Sequence, residues 1–101
     1  MIVNALGMPP KKMVDMAKDA GVKVGALVGA KKHAINQINA GVDVLIVAGG
    51  EAGGHCGEVS SMVLIPEVYN AIKDIKDVPI LAAGGIASGS QMAAAMAMGA
   101  S

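Results

Sequence analysis

The sequence has almost no aromatic residues: Tyr69 is alone, with no Phe and no Trp in 101 positions. That excludes a core built on stacked rings, and a surface that holds nucleic-acid bases on aromatic faces. Net charge is missing too, since eight basic and eight acidic residues cancel. There is therefore no overall field to draw in nucleic acid or an anionic membrane. Cys56 is the single cysteine, which excludes an intramolecular disulfide and a multi-cysteine metal site. No apolar run approaches the roughly eighteen residues that span a bilayer. The N-terminus lacks the basic start, apolar stretch and small-residue cleavage site of a signal peptide, so a cytoplasmic location is expected.

What is present is apolar and regular. The chain is 53% hydrophobic and 16% charged, a balance that folds rather than remaining disordered. Its core must be built from Val, Ile, Leu, Ala and eight methionines. Such a composition suits buried parallel strands and the helices covering them.

The pattern along the chain alternates. Ile2 to Leu6 reads as a strand ending in Gly7, and Pro9 and Pro10 suit a helix start. Lys11 to Ala20 reads as a helix closed by Gly21, and Val22 to Val28 as a second strand. Residues 31–40 form a second helix with Ala34, Ile35 and Ile38 on its apolar face, followed by Gly41 and a strand from Val42 to Val47. A third helix is expected from Pro66 to Lys76, a fourth strand from Ile80 to Ala83, and a last helix from Gln91 to Met98 with Ser88 as its N-cap. Ala20-Gly21-Val22-Lys23-Val24 recurs as Ala40-Gly41-Val42-Asp43-Val44, a helix end and strand start repeated after one βα unit. Gly99-Ala100-Ser101 begins the same pattern again. Alternation of this kind argues for a parallel sheet with right-handed crossovers. We read the chain as a (β/α)4 half of a (β/α)8 TIM-barrel-type fold, a single partial domain over residues 1–101. A small doubly wound open sheet is the competing layout. Half a barrel would leave two open sheet edges, through which the chain could self-associate.

Two connections carry chemistry. The first, from Ala48 to Ile65, follows the third strand and holds five of the fourteen glycines within Gly49–Glu58. Connections of this kind usually take about 2–6 residues, and much longer ones are commonly functional. In barrels they lie on the active-site face. The plainer reading is a flexible glycine-rich surface loop. His55 is its candidate acid or base. Glu51 and Glu58 are carboxylates that could orient the imidazole or simply be solvated. Cys56 is incidental, because adjacent side chains in an extended loop diverge. The second connection is Ala82-Ala83-Gly84-Gly85-Ile86-Ala87-Ser88, where backbone N–H groups and a helix N-terminus favour an anion. Its plainer reading is a tight turn with a serine cap. His33, after Lys31 and Lys32, reads as a surface residue, and the methionines as core filling. No metal-ligand cluster is visible.

Together, Glu51-Ala52-Gly53-Gly54-His55, Leu64-Ile65-Pro66 and Pro79-Ile80-Leu81-Ala82-Ala83-Gly84-Gly85-Ile86 resemble the nitronate monooxygenases, formerly called 2-nitropropane dioxygenases. The resemblance extends through Ala26-Leu27-Val28-Gly29, Lys32-His33-Ala34 and Gly41-Val42-Asp43 to Met98-Gly99-Ala100, essentially the whole chain. It implies an FMN-binding (β/α)8 barrel that oxidises alkyl nitronates with O2 to carbonyl compounds and nitrite. By that resemblance His55 matches the active-site histidine, as base or substrate-positioning group. Gly53 and Gly54 match backbone packed against the flavin, and Ala83, Gly84 and Gly85 match the FMN phosphate loop. The chain would span barrel strands four to seven, with the first three strands and the last one outside it.

The sequence departs from the family pattern at Ala48, where members usually carry Gln, and at Ser90, where many carry Arg. Flavin-dependent enoyl-acyl-carrier-protein reductases share the barrel and a similar Gly-Gly-His loop, and are the nearest alternative. Two further readings are an inactive, associating half-barrel and a phosphate-binding module on an open sheet.

Overall fold

A computed structural model describes all residues from Met1 to Ser101. The elements alternate as β1 (Ile2–Asn4), α1 (Lys11–Asp19), β2 (Val24–Val28), α2 (Lys31–Asn39), β3 (Val44–Ala48), α3 (Ser61–Ile72), β4 (Ile80–Ala83) and α4 (Gly89–Ala97). All four strands are parallel and lie in the order β1-β2-β3-β4. That order separates the two layouts left open by the sequence. A doubly wound sheet reverses direction at a switch point. Here each right-handed crossover steps the same way, so the helices fall on one face, as in half of an eight-stranded barrel.

Three of the helices end in one motif. Gly21, Gly41 and Gly99 have φ of 70°, 93° and 116°, a region that side chains avoid. In each case the glycine N–H turns back on the carbonyl of Lys18, Ile38 or Met96. The following N–H, from Val22, Val42 or Ala100, donates to Ala17, Gln37 or Ala95. This is a Schellman ending. It explains why β2 and β3 begin two residues later than the apolar runs predict: Val22 and Val42 still belong to the helix ends.

The next residue joins the sheet. Asp43 N–H donates to Val24 O at 2.8 Å, while Val24 N–H donates to Asp43 Oδ2 at 2.9 Å. Ser101 repeats the arrangement beside β4: its N–H donates to Ile80 O at 2.8 Å, and Ile80 N–H donates to its Oγ at 3.2 Å. Ser101 therefore stands to β4 as Asp43 stands to β2.

The core lies between sheet and helices. Cross-strand partners Ala26 and Leu45, Val28 and Val47, and Leu45 and Ile80 put buried residues on the helix side. Leu64, Ile65, Val68 and Ile72 of α3 meet them and are all buried. Each large aliphatic side chain fully buried this way contributes about 1.5–3 kcal/mol. On the opposite face the partners Leu27, Ile46 and Leu81 are only partly covered, and Leu81 is 40% exposed.

Other boundaries move for identifiable reasons. β1 stops at Asn4 rather than Leu6, because the Asn4 carboxamide donates to Leu6 O and Gly7 O and turns the chain. α3 starts at Ser61 rather than Pro66, so Pro66 sits inside the helix. Proline forfeits the bond to the carbonyl four residues back, here that of Met62. Met62 is 67% exposed, which leaves water to satisfy that carbonyl.

A glycine pair tests the helix-end motif. An added Cβ at Gly21 meets nothing within 4 Å, whereas at Gly99 it lies 2.4 Å from Tyr69 Cγ. Gly21→Ala is expected to cost about 1 kcal/mol from its positive φ alone. Gly99→Ala should cost about 1–3 kcal/mol more through the clash with the ring. Urea unfolding of both variants measures the difference, and equal costs would contradict this packing.

Candidate active site

The loops that follow the strands gather at one end of the sheet. Between β3 and α3 runs Gly49–Ser60, and its glycines do two different jobs. A Cβ at Gly57 would come 2.6 Å from Gly29 O, and one at Gly49 would come 2.3 Å from Ser61 N. These positions let the loop pack backbone to backbone against its neighbours. Gly50 N–H donates to Val59 O at 2.9 Å and closes the neck of the loop. At Gly53 and Gly54 an added Cβ would meet nothing within 4 Å, so their backbone faces open space.

Glu51 has a role that the sequence left open. Its carboxylate accepts from Ser61 N–H at 3.0 Å and from Ser61 Oγ at 2.9 Å. It therefore caps α3 from across the loop, where the helix dipole favours a negative charge. The backbone N–H of Ser61, then that of Glu51 itself, then the Ser61 hydroxyl hold the Glu51 carboxyl below its ordinary value of 4.5. This cap is what begins α3 five residues before Pro66, and it commits Glu51 to Ser61 rather than to the imidazole of His55.

The β4–α4 turn packs against the same loop. Gly84 and Gly85 have φ of 89° and 72°. A Cβ at Gly84 would lie 3.0 Å from Ala52 Cα, and one at Gly85 would lie 3.1 Å from Glu51 Cβ. Ser88 caps α4 in a reciprocal box with Gln91, as its position predicts. That box takes the N–H groups of Ala87, Ser88 and Gln91. The N–H groups of Gly84, Gly85 and Ile86 find no acceptor in the protein. Three free donors on a turn without side chains, just before a helix N-terminus, suit a phosphate.

Two concavities lie at this end of the molecule. A hollow of about 350 Å³ beside β4 and α4 is lined by Ala83, Gly84, Gly85 and Ile86, with Met92 and Met96 of α4. A cleft of about 650 Å³ runs between the β1–α1 loop, α2 and the histidine loop. His55 is exposed and lines this larger cleft. Cys56 is a free, exposed thiol beside it, and its Sγ approaches Gly50 O at 3.8 Å. Thus Ala83, Gly84 and Gly85 sit together, His55 opens on the larger cleft, and Gly53 and Gly54 lie on the loop that carries it.

Part of the larger cleft is not evident from the sequence. His33 is exposed, as its place after Lys31 and Lys32 predicts, and it also lines the cleft with Asn36 and Gln37 of the same helix. The signal was available: Gln37 falls at helical spacing with Ala34 and Ile38, a polar residue on a buried face. No group of acidic, histidine and cysteine side chains could hold a metal ion, and no helix is long and apolar enough to cross a membrane.

The carboxylate cap makes loop order depend on pH. A carboxyl with a lowered folded-state pKa contributes stability above its unfolded value, and that contribution is lost as pH falls through the lowered pKa. Amide hydrogen exchange of residues 49–61 is expected to speed up as pH falls below 4.5, beyond the intrinsic pH dependence of exchange. Glu51→Gln should exchange quickly at neutral pH and show no such acid limb. A Glu51→Gln protein that keeps the acid limb would remove Glu51 as its source.

Known proteins resemble this chain over nearly all of its length. It is 51% identical to the Mycobacterium tuberculosis protein Rv1533, which carries a monooxygenase name, over 99% of this chain and 26% of that protein. It is 44% identical to a hydroxy-methyl-oxo-octahydro-indene-carboxyl-CoA dehydrogenase of Rhodococcus jostii, over 91% of this chain and 25% of that one. Among solved structures, FabK from Thermotoga maritima matches with a TM-score of 0.85 and 40% identity, over 97% of this chain and 30% of that one. The nitroalkane oxidase from Streptomyces ansochromogenes matches with a TM-score of 0.85 and 30% identity, over 99% of this chain and 31% of that one. The chain thus spans a quarter to a third of the length of these relatives. The sequence profile described as nitronate monooxygenase matches residues 1–101, and the chain belongs to that family of FMN-binding flavoenzymes.

Proposed function

We propose that this chain is a segment of an FMN-dependent oxidoreductase whose substrate is an acyl thioester. The observation that carries the reading is the packing of the histidine loop against the Gly84–Gly85 turn. One loop presents His55 to a large cleft, and its other flank packs against a turn with three unused N–H donors. Gly84, Gly85 and Ile86 would hold the FMN phosphate, with Ala83 ending the strand beneath them. Gly53 and Gly54, whose backbone faces open space, would lie beside the isoalloxazine. FMN, when bound, supplies the redox chemistry.

The rest falls to the protein. A thioester is oxidised or reduced next to its carbonyl, and a proton must leave or reach the α-carbon. His55 is the side chain of the loop suited to carry that proton, since an imidazole can both accept and donate one. An alkyl nitronate has already lost its α-proton and asks less of such a base. The relatives support the same choice. The match to a carboxyl-CoA dehydrogenase is 44% identical, against 30% for the nitroalkane oxidase. Nitronate oxidation with O2, the first expectation from the sequence, is the second reading. It rests on the family name, on the 51% identical relative with a monooxygenase name, and on relatives near 30% identity.

Anaerobic mixing of the full-length flavoprotein with a panel of acyl-CoA esters, and separately with an alkyl nitronate, distinguishes the two. Flavin bleaching or recovery by a thioester, faster than by the nitronate, is the expected result; the reverse order sinks the thioester reading. His55→Ala should slow the thioester reaction by about 10²–10⁴-fold, the usual contribution of a positioned acid or base. Gly84→Ala, which combines positive φ with an approach of 3.0 Å to Ala52, should yield folded protein that loses its flavin on gel filtration.

A further inference from the structure

A polar residue interrupts the buried face of α2. Ala34, Gln37 and Ile38 share that face, and Gln37 is only 3% exposed. Its Nε2 donates to Gly7 O at 2.9 Å, while its Oε1 has no hydrogen-bond partner. A buried acceptor without a donor is destabilising. The Nε2 bond ties the β1–α1 loop to α2, so it is Oε1 alone that has no use within the fold.

Gln37 also lines the 650 Å³ cleft, and His33 and Asn36 join it in one stripe of α2 at helical spacing. His55 lines the cleft from the loop. Its volume falls in the usual range of ligand pockets, about 300–1,000 Å³. Between the polar groups the lining is apolar, with Met8, Leu27 and Val28 among it. No lysine contributes to it, and Glu58 is its one carboxylate. Such a lining disfavours a phosphate and suits a neutral, mostly apolar chain carrying groups that form hydrogen bonds.

We propose that this cleft holds the amide-bearing arm of the thioester, the pantetheine part of a CoA ester, with Gln37 Oε1 accepting a hydrogen bond from an arm N–H. This rests on the thioester reading above. The arm carries secondary amides on an otherwise aliphatic chain, and the acyl end would lie toward His55. Oε1 is buried in this structure, so the proposal requires the β1–α1 loop, where Leu6 and Gly7 are exposed, to move outward and admit the donor. Asn36, exposed on the same stripe, would meet the arm's other polar groups.

The test is equilibrium binding to the FMN-loaded, full-length protein by calorimetry. The probes are S-methylpantetheine and the same molecule with its amide nitrogens methylated. The unmodified protein is expected to bind the N–H form at least about tenfold more tightly, the discrimination of one hydrogen bond to a desolvated acceptor. Gln37→Leu should bring that ratio close to one. A ratio near one in the unmodified protein, or one that persists in Gln37→Leu, overturns the proposal. Should Gln37→Leu fail to fold, Asn36→Ala is the second variant. It should weaken the N–H form several-fold, and unchanged binding there overturns the proposal as well. Turnover is not read. A protein that binds the arm with this discrimination yet oxidises or reduces no thioester would lose the functional reading and keep the arm site. Thioester turnover without amide discrimination would remove the arm site alone.

Discussion

A glycine at positive φ at the end of a helix fixes most of what this chain does. Gly21, Gly41 and Gly99 each reverse the backbone so that the next N–H folds back on the helix. The residue after that is then set down in strand conformation. Where it carries a short oxygen side chain, as at Asp43 and Ser101, it also satisfies the first N–H of the preceding strand. The same connector used repeatedly gives crossovers of one hand and one step, and hence strands in sequential order. Sequential order places every strand-to-helix loop at one end of the sheet. The histidine loop and the Gly84–Gly85 turn meet because of that.

Much of this was legible in the sequence because it depends on backbone chemistry that few residues permit. The repeated Ala-Gly-Val step, the Ser88 cap and the paired glycines after β4 each mark a conformation that other residues resist. What was hidden depends on partners distant in sequence. Ser60 is of the usual N-cap type but makes no side-chain capping bond, and the carboxylate that caps α3, Glu51, comes from ten residues upstream. Pro66 consequently resembled a first helical residue. The strand starts at Val22 and Val42 were misplaced for a related reason: an apolar residue serves equally as a strand residue and as the hydrophobic contact of a helix ending.

The glycines of the histidine loop show how composition can mislead. Their density suggested close approach of backbone to a ligand throughout. Instead Gly49 and Gly57 are required by neighbouring backbone, and Gly84 by Ala52. Only Gly53 and Gly54 stand clear. The loop is thus a packed support with a short open stretch, and His55 directly follows that stretch. In the proposed role His55 would gain from the packed backbone at Gly57, two residues further on. Glu51 belongs to the support, which is why its charge is spent on α3.

The choice of substrate then turns on what the larger cleft can solvate. An alkyl nitronate is an anion, and a site that selects it needs cationic or strongly donating groups. The cleft has no lysine in its lining; it offers His33 and His55 against Glu58, and amide groups from Asn36 and Gln37. Its strongest unmet demand is Gln37 Oε1, an acceptor that repels an anion and attracts a donor. The uncharged pantetheine arm of a thioester, with its amide N–H groups, would answer that demand. The family name favours nitronates; the thioester proposal rests on the side chains of this cleft, because specificity resides in side chains rather than in the shared barrel.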